Sequence, residues 1–173
     1  AGWRGRYHLV MHHSATPAAD AVEAGGPATV FSGAMDGYFR ALDAPTGKLK
    51  WAFAAADWIW SSAAVTDLDG DGKKEAVFGS DTGMLYALDA ATGSVKWQFS
   101  LTGGTANVRG SPALADLDGN GTLEVLIGSP DGLLHCRDGR TGQPKWTFAT
   151  ARELVSSPAV ADLVTIACET CRK

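Results

Sequence analysis

The sequence predicts an all-β protein made of four-stranded antiparallel units, and three observations support this prediction. Tryptophans recur at Trp51, Trp97 and Trp146, each shortly after a Thr-Gly pair, at intervals of 46 and 49 residues. The 173 residues include 21 Gly and 7 Pro, which favours many tight turns and leaves little room for long helices. No segment sustains the apolar period of an amphipathic helix. The chain is therefore expected to fold as strands and turns.

Each repeat contains four short apolar segments, which we predict to be consecutive strands. The first resembles SPALAD, the second EVLIGS, the third LYALDA and the fourth VKWQF. Short runs of Val, Leu, Ile and aromatic residues, separated by Gly and Asp turns, are typical of an antiparallel meander. The Thr-Gly pair predicts the hairpin turn before the fourth strand, because Gly accepts a positive φ.

A four-stranded unit that repeats at this interval is typical of a β-propeller blade, since one blade cannot bury both of its faces alone. We expect about three blades plus one extra inner strand, an incomplete ring on its own. The predicted bounds are 14–53, 61–99 and 110–148 for the blades and 156–163 for the inner strand. Residues 1–26 are expected to form an N-terminal extension with a degenerate first strand, and residues 164–173 a C-terminal tail.

An arc of three blades would leave an apolar sheet face open on each flank, and such faces are typical association surfaces. We therefore expect the chain to associate with itself or to receive further blades from another chain or segment. The formal net charge of −4 and the absence of a basic block argue against nucleic-acid binding. No apolar run approaches the roughly 20 residues that span a bilayer, so no membrane span is predicted.

The repeats resemble two known families of propeller repeat. ALDAPTGKLKW, ALDAATGSVKW and CRDGRTGQPKW resemble the tryptophan-docking motif of PQQ-like, quinoprotein-type repeats. DLDGDGKKE and DLDGNGTLE resemble the calcium loops of FG-GAP-type repeats. The resemblance covers about residues 27 to 163 and implies a propeller fold in an extracellular or periplasmic protein.

Two short loops carry seven of the acidic residues, in a pattern that suits calcium. Oxygen side chains at positions 1, 3 and 5, Gly at 6, a backbone carbonyl at 7 and an acid at 9 can supply the six to eight oxygens that Ca²⁺ prefers. We predict two Ca²⁺ sites, with the ligands Asp67, Asp69, Asp71, Lys73 and Glu75 in one loop and Asp116, Asp118, Asn120, Thr122 and Glu124 in the other. The alternative is a pair of solvated Asp-Gly hairpins without metal.

A second candidate surface is the rim opposite the calcium loops, where the connection from one blade to the next is expected. Residues that differ between the repeats fall there: Asp57, Trp58, Trp60, Asn107, Arg109, Arg152 and Glu153. Two tryptophans beside an aspartate could stack on a carbohydrate or hold a protein ligand. The alternative is that Trp58 and Trp60 fill a junction between blades.

The functional hypothesis is a calcium-stabilised propeller module for binding, adhesion or structural assembly, without catalysis of its own. No Ser-His-Asp or paired-carboxylate arrangement can be located outside the calcium-type loops. The resemblance to quinoproteins keeps one alternative open, a fragment of a PQQ-dependent dehydrogenase. The sequence leaves the role of the C-x-x-C formed by Cys168 and Cys171 open.

Overall fold

The computed structural model describes residues 17–22, 26–101 and 107–161. Their strands form three antiparallel sheets, and glycine residues lie in the turns between the strands. These described residues form twelve strands and no helix. No helix that could span a membrane is therefore found among them. This architecture confirms the predicted all-β class and its three four-stranded units. The C-x-x-C of Cys168 and Cys171, the predicted tail and most of the predicted extension lie outside the described residues.

We call the three sheets the first, second and third blades. The first contains β1 (Ala18–Ala21), β2 (Ala28–Gly33), β3 (Tyr38–Asp43) and β4 (Leu49–Ala54). The second contains β5 (Ala64–Thr66), β6 (Glu75–Gly79), β7 (Met84–Asp89) and β8 (Val95–Ser100). The third contains β9 (Ala113–Ala115), β10 (Glu124–Gly128), β11 (Leu133–Asp138) and β12 (Pro144–Ala149). Neighbouring strands pair antiparallel in chain order in every blade, as in a meander.

The turn between the third and fourth strands is built by its own side chains. In the second blade the Asp89 carboxylate accepts hydrogen bonds from Ala91 N at 3.0 Å and Thr92 N at 2.8 Å. Gly93 follows at φ +75°, a conformation that L side chains adopt at a cost. The same Asp-x-x-Thr-Gly arrangement recurs in the first and third blades, which explains why this motif repeats in the sequence.

The core lies between the blades rather than within them. Alternate residues of the central strand β6 point to opposite faces, so Phe78 packs toward the first blade and Val77 toward the third. The Phe78 ring stacks on Phe39 with centroids 3.9 Å apart. Among the described residues, the apolar clusters join the first blade to the second and the second to the third. None joins the third to the first, so the ring is open.

Two of the docking tryptophans, Trp51 and Trp97, contact the next blade along the chain. Trp51 Nε1 donates to the carbonyl of Ala90 at 3.1 Å, and Trp97 Nε1 donates to the carbonyl of Gly139 at 2.8 Å. A Cβ added at Gly93 would lie 2.7 Å from the Trp51 ring, so the turn glycine is also needed to admit the indole. The Thr-Gly turn of one blade is therefore the receiving surface for the tryptophan of the blade before it.

The described part of the predicted inner strand, residues 156–161, has no strand pairing in this structure. It still lies where an inner strand would start, because Ser111 N donates to Ser157 Oγ at 2.8 Å. The previous repeat has the equivalent contact from Ser62 N to Ser111 Oγ, also 2.8 Å. No second strand follows within the described residues to pair with this segment, which explains its lack of regular structure.

Candidate functional sites

The two acidic loops connect the first and second strands of the second and third blades. In the second blade the Asp67 carboxylate accepts N–H groups of Gly70 at 2.8 Å and Gly72 at 2.8 Å. Asp116 does the same with Gly119 at 2.7 Å and Gly121 at 2.9 Å. Burial raises the pKa of Asp67, but its backbone N–H donors outweigh this and hold the pKa below its usual value. The first acid of each loop therefore shapes the loop backbone.

Three acidic groups converge in each loop. One triplet is Asp67, Asp69 and Asp71, and the other is Asp116, Asp118 and Glu124. Within each triplet, one carboxylate oxygen from each residue lies within 4.8 Å of the other two. Glu75, predicted as a ligand, is not part of its triplet. The Asp69 Oδ1 atom is buried without a hydrogen-bond partner. Convergent carboxylates with an unsatisfied buried oxygen fit a hard divalent cation, because Ca²⁺ takes oxygen ligands.

In each loop the backbone N–H of the residue at position 7 donates a hydrogen bond to the side-chain oxygen at position 5. Lys73 N donates to Asp71 Oδ1 at 2.8 Å, and Thr122 N donates to Asn120 Oδ1 at 2.8 Å. These bonds set the loop backbone after its second glycine.

A lysine from the fourth strand enters each acidic loop. Lys96 Nζ lies 2.9 Å from Asp69 Oδ2 and 2.7 Å from Glu75 Oε1. Lys145 Nζ likewise bridges Asp118 Oδ2, at 2.7 Å, and Glu124 Oε1. We did not identify these lysines from the sequence, although Lys precedes every docking tryptophan. Their ammonium groups neutralise part of the acidic charge without any metal.

The last acid of each loop ties the blade together. Glu75 Oε2 accepts Leu68 N at 3.0 Å, and Glu124 Oε2 accepts Leu117 N at 2.7 Å. Both carboxylates are almost fully buried. Burial raises the pKa of Glu75, and its bonds to Lys96 and Leu68 N offset only part of that rise. These glutamates therefore connect the second strand to the loop and to the lysine of the fourth strand.

On the opposite rim, most of the predicted residues lie around Asp81, which our sequence reasoning missed. Asp81 Oδ2 accepts Trp60 Nε1 at 3.1 Å and Arg109 Nη2 at 3.1 Å, and its side chain is 5% exposed. Asp81 belongs to the turn between β6 and β7, so in the sequence it looks like an ordinary turn residue. With the Asn107 amide in its hydrogen-bonding orientation, its oxygen accepts Arg109 Nη2 at 2.9 Å. We call Trp58, Trp60, Asp81, Asn107 and Arg109 the rim cluster.

The rim cluster presents an aromatic and cationic surface. The Arg109 guanidinium lies 5.4 Å from the centroid of the Trp60 ring, and Trp58 meets Trp60 edge to face at 5.9 Å. Trp58 is 43% exposed and the Arg109 side chain 45% exposed. Asp57 is exposed beside them and accepts Trp58 N at 2.7 Å. Buried Asp81 therefore fixes groups that remain open to solvent.

Arg152 and Glu153 do not join the rim cluster. They lie on the third blade at the equivalent connection, where Leu154 N donates to the carbonyl of Ser129 at 3.1 Å. Thr150 Oγ1 donates to the Arg152 carbonyl at 2.6 Å, and both predicted side chains are exposed. The seven predicted rim residues thus lie on three consecutive connections, and the structure brings together those of the first two.

The connection between β4 and β5 holds a strained residue, Ala56, at φ +67°. A left-handed conformation costs an L residue about 1–2 kcal/mol, and glycine recovers most of this at some loss of chain entropy. We expect Ala56→Gly to raise the free energy of unfolding by about 0.5–1 kcal/mol, measured by urea denaturation. Ala54→Gly, in the neighbouring strand, is the control and should be destabilising. A lower stability for Ala56→Gly would show that this conformation carries no strain.

Comparisons with known proteins give one family match and several structural matches. The model of a family described as "Outer membrane protein assembly factor BamB" matches residues 3–123. The crystal structure of BamB from Moraxella catarrhalis superposes with a TM-score of 0.60 at 29% identity, over 82% of this chain and 39% of that chain. No match was found among curated proteins.

Two further solved structures show the fold alone. The computationally designed Ika8 protein matches with a TM-score of 0.58 at 24% identity, over 78% of this chain and 37% of that chain. The quinohemoprotein alcohol dehydrogenase from Comamonas testosteroni matches with a TM-score of 0.59 at 23% identity, over 79% of this chain and 21% of that chain. The chain thus spans well under half the length of each of these structures.

Proposed function

Because the chain belongs to the family described as outer membrane protein assembly factor BamB, we propose that it is a protein-binding propeller module of an assembly system. In this proposal it has no catalysis of its own and works in an extracellular or periplasmic compartment. The dehydrogenase alternative has only the shared fold in its support. The observation that carries the proposal is the rim cluster.

The rim cluster has the chemistry of a protein-binding hot spot. Tryptophan and arginine dominate such sites, and they bind best when their side chains are already ordered. Asp81 orders Trp60 and Arg109 by hydrogen bonds of 3.1 Å each, so little rotamer entropy remains to be lost. Exposed Trp58 and the outer edge of Arg109 would then contact the partner.

We expect Trp58→Ala to abolish partner binding without changing the melting temperature by more than a few degrees. The probe is a phage-displayed library of random peptides, selected on the wild-type protein and then tested against the variant. Trp146→Ala is the matched control, because Trp146 is equally exposed but lies on β12 of the third blade. Selected peptides that bind Trp58→Ala as well as wild type would refute the rim proposal. If the protein binds glycans on an array but no peptide from the library, the rim is a carbohydrate-binding site.

We further propose that the acidic loops bind two Ca²⁺ ions that stabilise the second and third blades. The carboxylate triplets and the unsatisfied Asp69 Oδ1 support this. Bound Ca²⁺ would supply positive charge at the junction of the first two strands of each blade, and the loop oxygens would coordinate it. In this proposal Asp69 and Asp118 give oxygens to the ion, while Glu75 chiefly holds Lys96 and the loop backbone.

Calcium should raise the melting temperature and EDTA should lower it. A ligand that binds only the folded state adds about 2.7 kcal/mol per site at a hundredfold excess over Kd. We expect the double variant Asp69→Ala, Asp118→Ala to melt alike in calcium and EDTA. Asp36→Ala is the control, since Asp36 lies on a different turn and pairs with Arg40. Equal melting of the wild type in calcium and EDTA would exclude the calcium sites and favour solvated loops.

A further inference from the structure

The third blade places two ionisable side chains in its junction with the second blade. His135 and Arg137 lie on β11 and share one side of the sheet, because residues two apart on a strand point the same way. That side faces the second blade, since the Arg137 guanidinium lies 4.8 Å from the centroid of the Phe99 ring. His135 is 6% exposed and Arg137 is 8% exposed. At the matching positions the second blade has Tyr86 and Leu88, which are uncharged at neutral pH.

The His135 ring bonds to a neutral partner, the Ser129 hydroxyl. Its Nε2 atom lies 3.0 Å from Ser129 Oγ, and the same hydroxyl contacts Asp131 Oδ1. A hydroxyl has one proton and a carboxylate only accepts, so Ser129 donates to Asp131 and accepts from His135 Nε2–H. Ser129 is fully buried, and it is the only described residue that bonds to the ring. Protonation would therefore place a charge on a buried ring that has no direct ionic partner.

Among the described residues, Asp131 and Arg137 are the charged groups that act on His135. Asp131 Oδ2 lies 3.9 Å from His135 Nε2 and is 32% exposed, whereas the equivalent acid and base of the first blade, Asp36 and Arg40, bond directly at 2.6 Å. Arg137 donates to the carbonyl of Gly142 at 2.9 Å, and its Nε is buried without a partner. The neighbouring elements present uncharged side chains to this side, namely Val125 and Ile127 from β10, Thr147 from β12, and Leu85, Phe99 and Leu101 from the second blade.

The core of this junction also anchors the rim cluster. Ile127, which pairs with His135 across the strands, packs in one apolar cluster with Val108. Val108 is fully buried, and its N–H donates at 3.1 Å to a backbone carbonyl of the second blade. Its two neighbours in the chain are Asn107 and Arg109 of the rim cluster. Packing between the second and third blades therefore fixes the base of that cluster.

We propose that His135 makes this junction sensitive to pH, so that its protonation in a mildly acidic medium weakens the contact between the second and third blades and loosens the rim cluster at Val108. Burial and the Arg137 charge lower the pKa of His135 below 6.5, and the Asp131 charge offsets only part of this. The unfolded chain therefore takes up the proton more readily than the folded protein. The contribution of neutral His135 to stability is complete above about pH 6.5 and is lost as the pH falls through the lower folded pKa. The device would act whether or not the rim cluster binds a protein.

The first test is an NMR titration of the His135 ring, whose signal is assigned by its absence in His135→Gln. We expect a pKa below 6.5 in the wild type. Arg137→Leu should raise this pKa because it removes a like charge, and Asp131→Asn should lower it because it removes an opposite charge. Arg137→Leu installs the residue that the other two blades have at this position, Leu42 and Leu88.

The second test is hydrogen exchange at the Val108 amide, together with the urea midpoint, at about pH 7.5 and about pH 5.5, on either side of the ordinary histidine pKa. In the wild type we expect protection of Val108, corrected for the intrinsic exchange rate, to fall severalfold at the lower pH and the midpoint to fall with it. His135→Gln and His135→Tyr should both remove most of this dependence. The matched control replaces the other three histidines, His8, His12 and His13, by glutamine and should keep it.

Three outcomes would overturn the proposal. The first is a His135 pKa at or above 6.5. The second is a Val108 protection that is equal at the two pH values, or that falls as much in His135→Gln as in the wild type. The third is loss of the dependence in the triple histidine variant, which would assign it to the N-terminal histidines. None of these measurements uses a peptide, so failure here is distinguishable from failure of the proposed function.

Discussion

Replacing Trp97 by alanine is expected to lower the free energy of unfolding by about 3–5 kcal/mol, the range for truncating a large core aromatic. Trp97 is 93% buried between the second and third blades and donates to the carbonyl of Gly139 at 2.8 Å. Truncation removes its contacts with the Gly142 turn and leaves that carbonyl without its indole donor. Urea denaturation at equilibrium would measure the loss.

Two controls separate the contributions to this effect. Trp97→Phe keeps an aromatic ring but removes the N–H donor, so it should cost about 1–3 kcal/mol for the unsatisfied buried carbonyl. Trp146→Ala removes the same residue type at the same repeat position, but from an exposed site, and should cost much less. Equal losses for Trp97→Ala and Trp146→Ala would contradict the role of burial between blades.

Replacing Lys96 by methionine in calcium-free buffer should destabilise the fold by about 3 kcal/mol. Removing one partner of a buried ion pair leaves the other charge uncompensated, which typically costs 3–5 kcal/mol. We expect the lower end of that range, because the Lys96 side chain is 22% exposed to solvent. Glu75, at 3% exposure, would keep a buried carboxylate whose one remaining donor among the described residues is the Leu68 N–H.

Lys50→Met is the matched control for this variant. Lys50 stands at the same repeat position, but its ammonium donates to the neutral hydroxyl of Thr29 at 2.9 Å. Losing this bond should cost about 1 kcal/mol. A double-mutant cycle of Lys96→Met with Glu75→Gln should return a coupling of similar size to the Lys96 effect. If Lys96→Met lowers the free energy of unfolding no more than Lys50→Met does, the Lys96–Glu75 ion pair does not stabilise the fold more than an ordinary hydrogen bond.

The pH dependence of the Lys96→Met variant has a defined sign. Burial raises the pKa of Glu75 above its ordinary value of 4.5, and loss of Lys96 should raise it further. An acid whose pKa is raised by folding stabilises the protein fully below its unfolded pKa. That contribution disappears as the pH rises through the folded pKa. The difference in the free energy of unfolding between wild type and variant should therefore be smallest below about pH 4.5 and should widen toward neutral pH.

Local chemistry explains what could be predicted from this sequence. The strands and turns depend on short-range patterns, such as the Asp89, Thr92 and Gly93 turn, in which every partner lies within a few residues. The recurrence of the docking tryptophans also indicated stacked blades. The choice of the calcium loops as candidate sites followed from the same kind of local spacing.

Contacts between distant repeats explain what could not be predicted. Asp81 reads as a turn residue until the fold brings Arg109 to it from 28 positions away. Lys96 reads as a solvated strand residue until strand pairing places it beside Glu75, 21 positions away. Residues 156–161 carry a first-strand pattern, yet a strand forms only where a partner strand is present. In each case the missing information was the identity of a neighbour from another part of the chain.

The tryptophan contacts give the array a polarity. The indoles of Trp51 and Trp97 project toward the next blade, and the Thr-Gly turns of the second and third blades each receive the indole of the blade before. At both junctions the donor is an indole N–H and the acceptor is the backbone carbonyl after the turn aspartate. Blades are therefore interchangeable, provided that the exchanged segment runs from one tryptophan to the next. An insertion or deletion of one whole period keeps every donor matched to an acceptor, whereas a partial period breaks two junctions at once. Lineages of such proteins can therefore change their ring size by recombination in whole periods, without having to evolve a new interface.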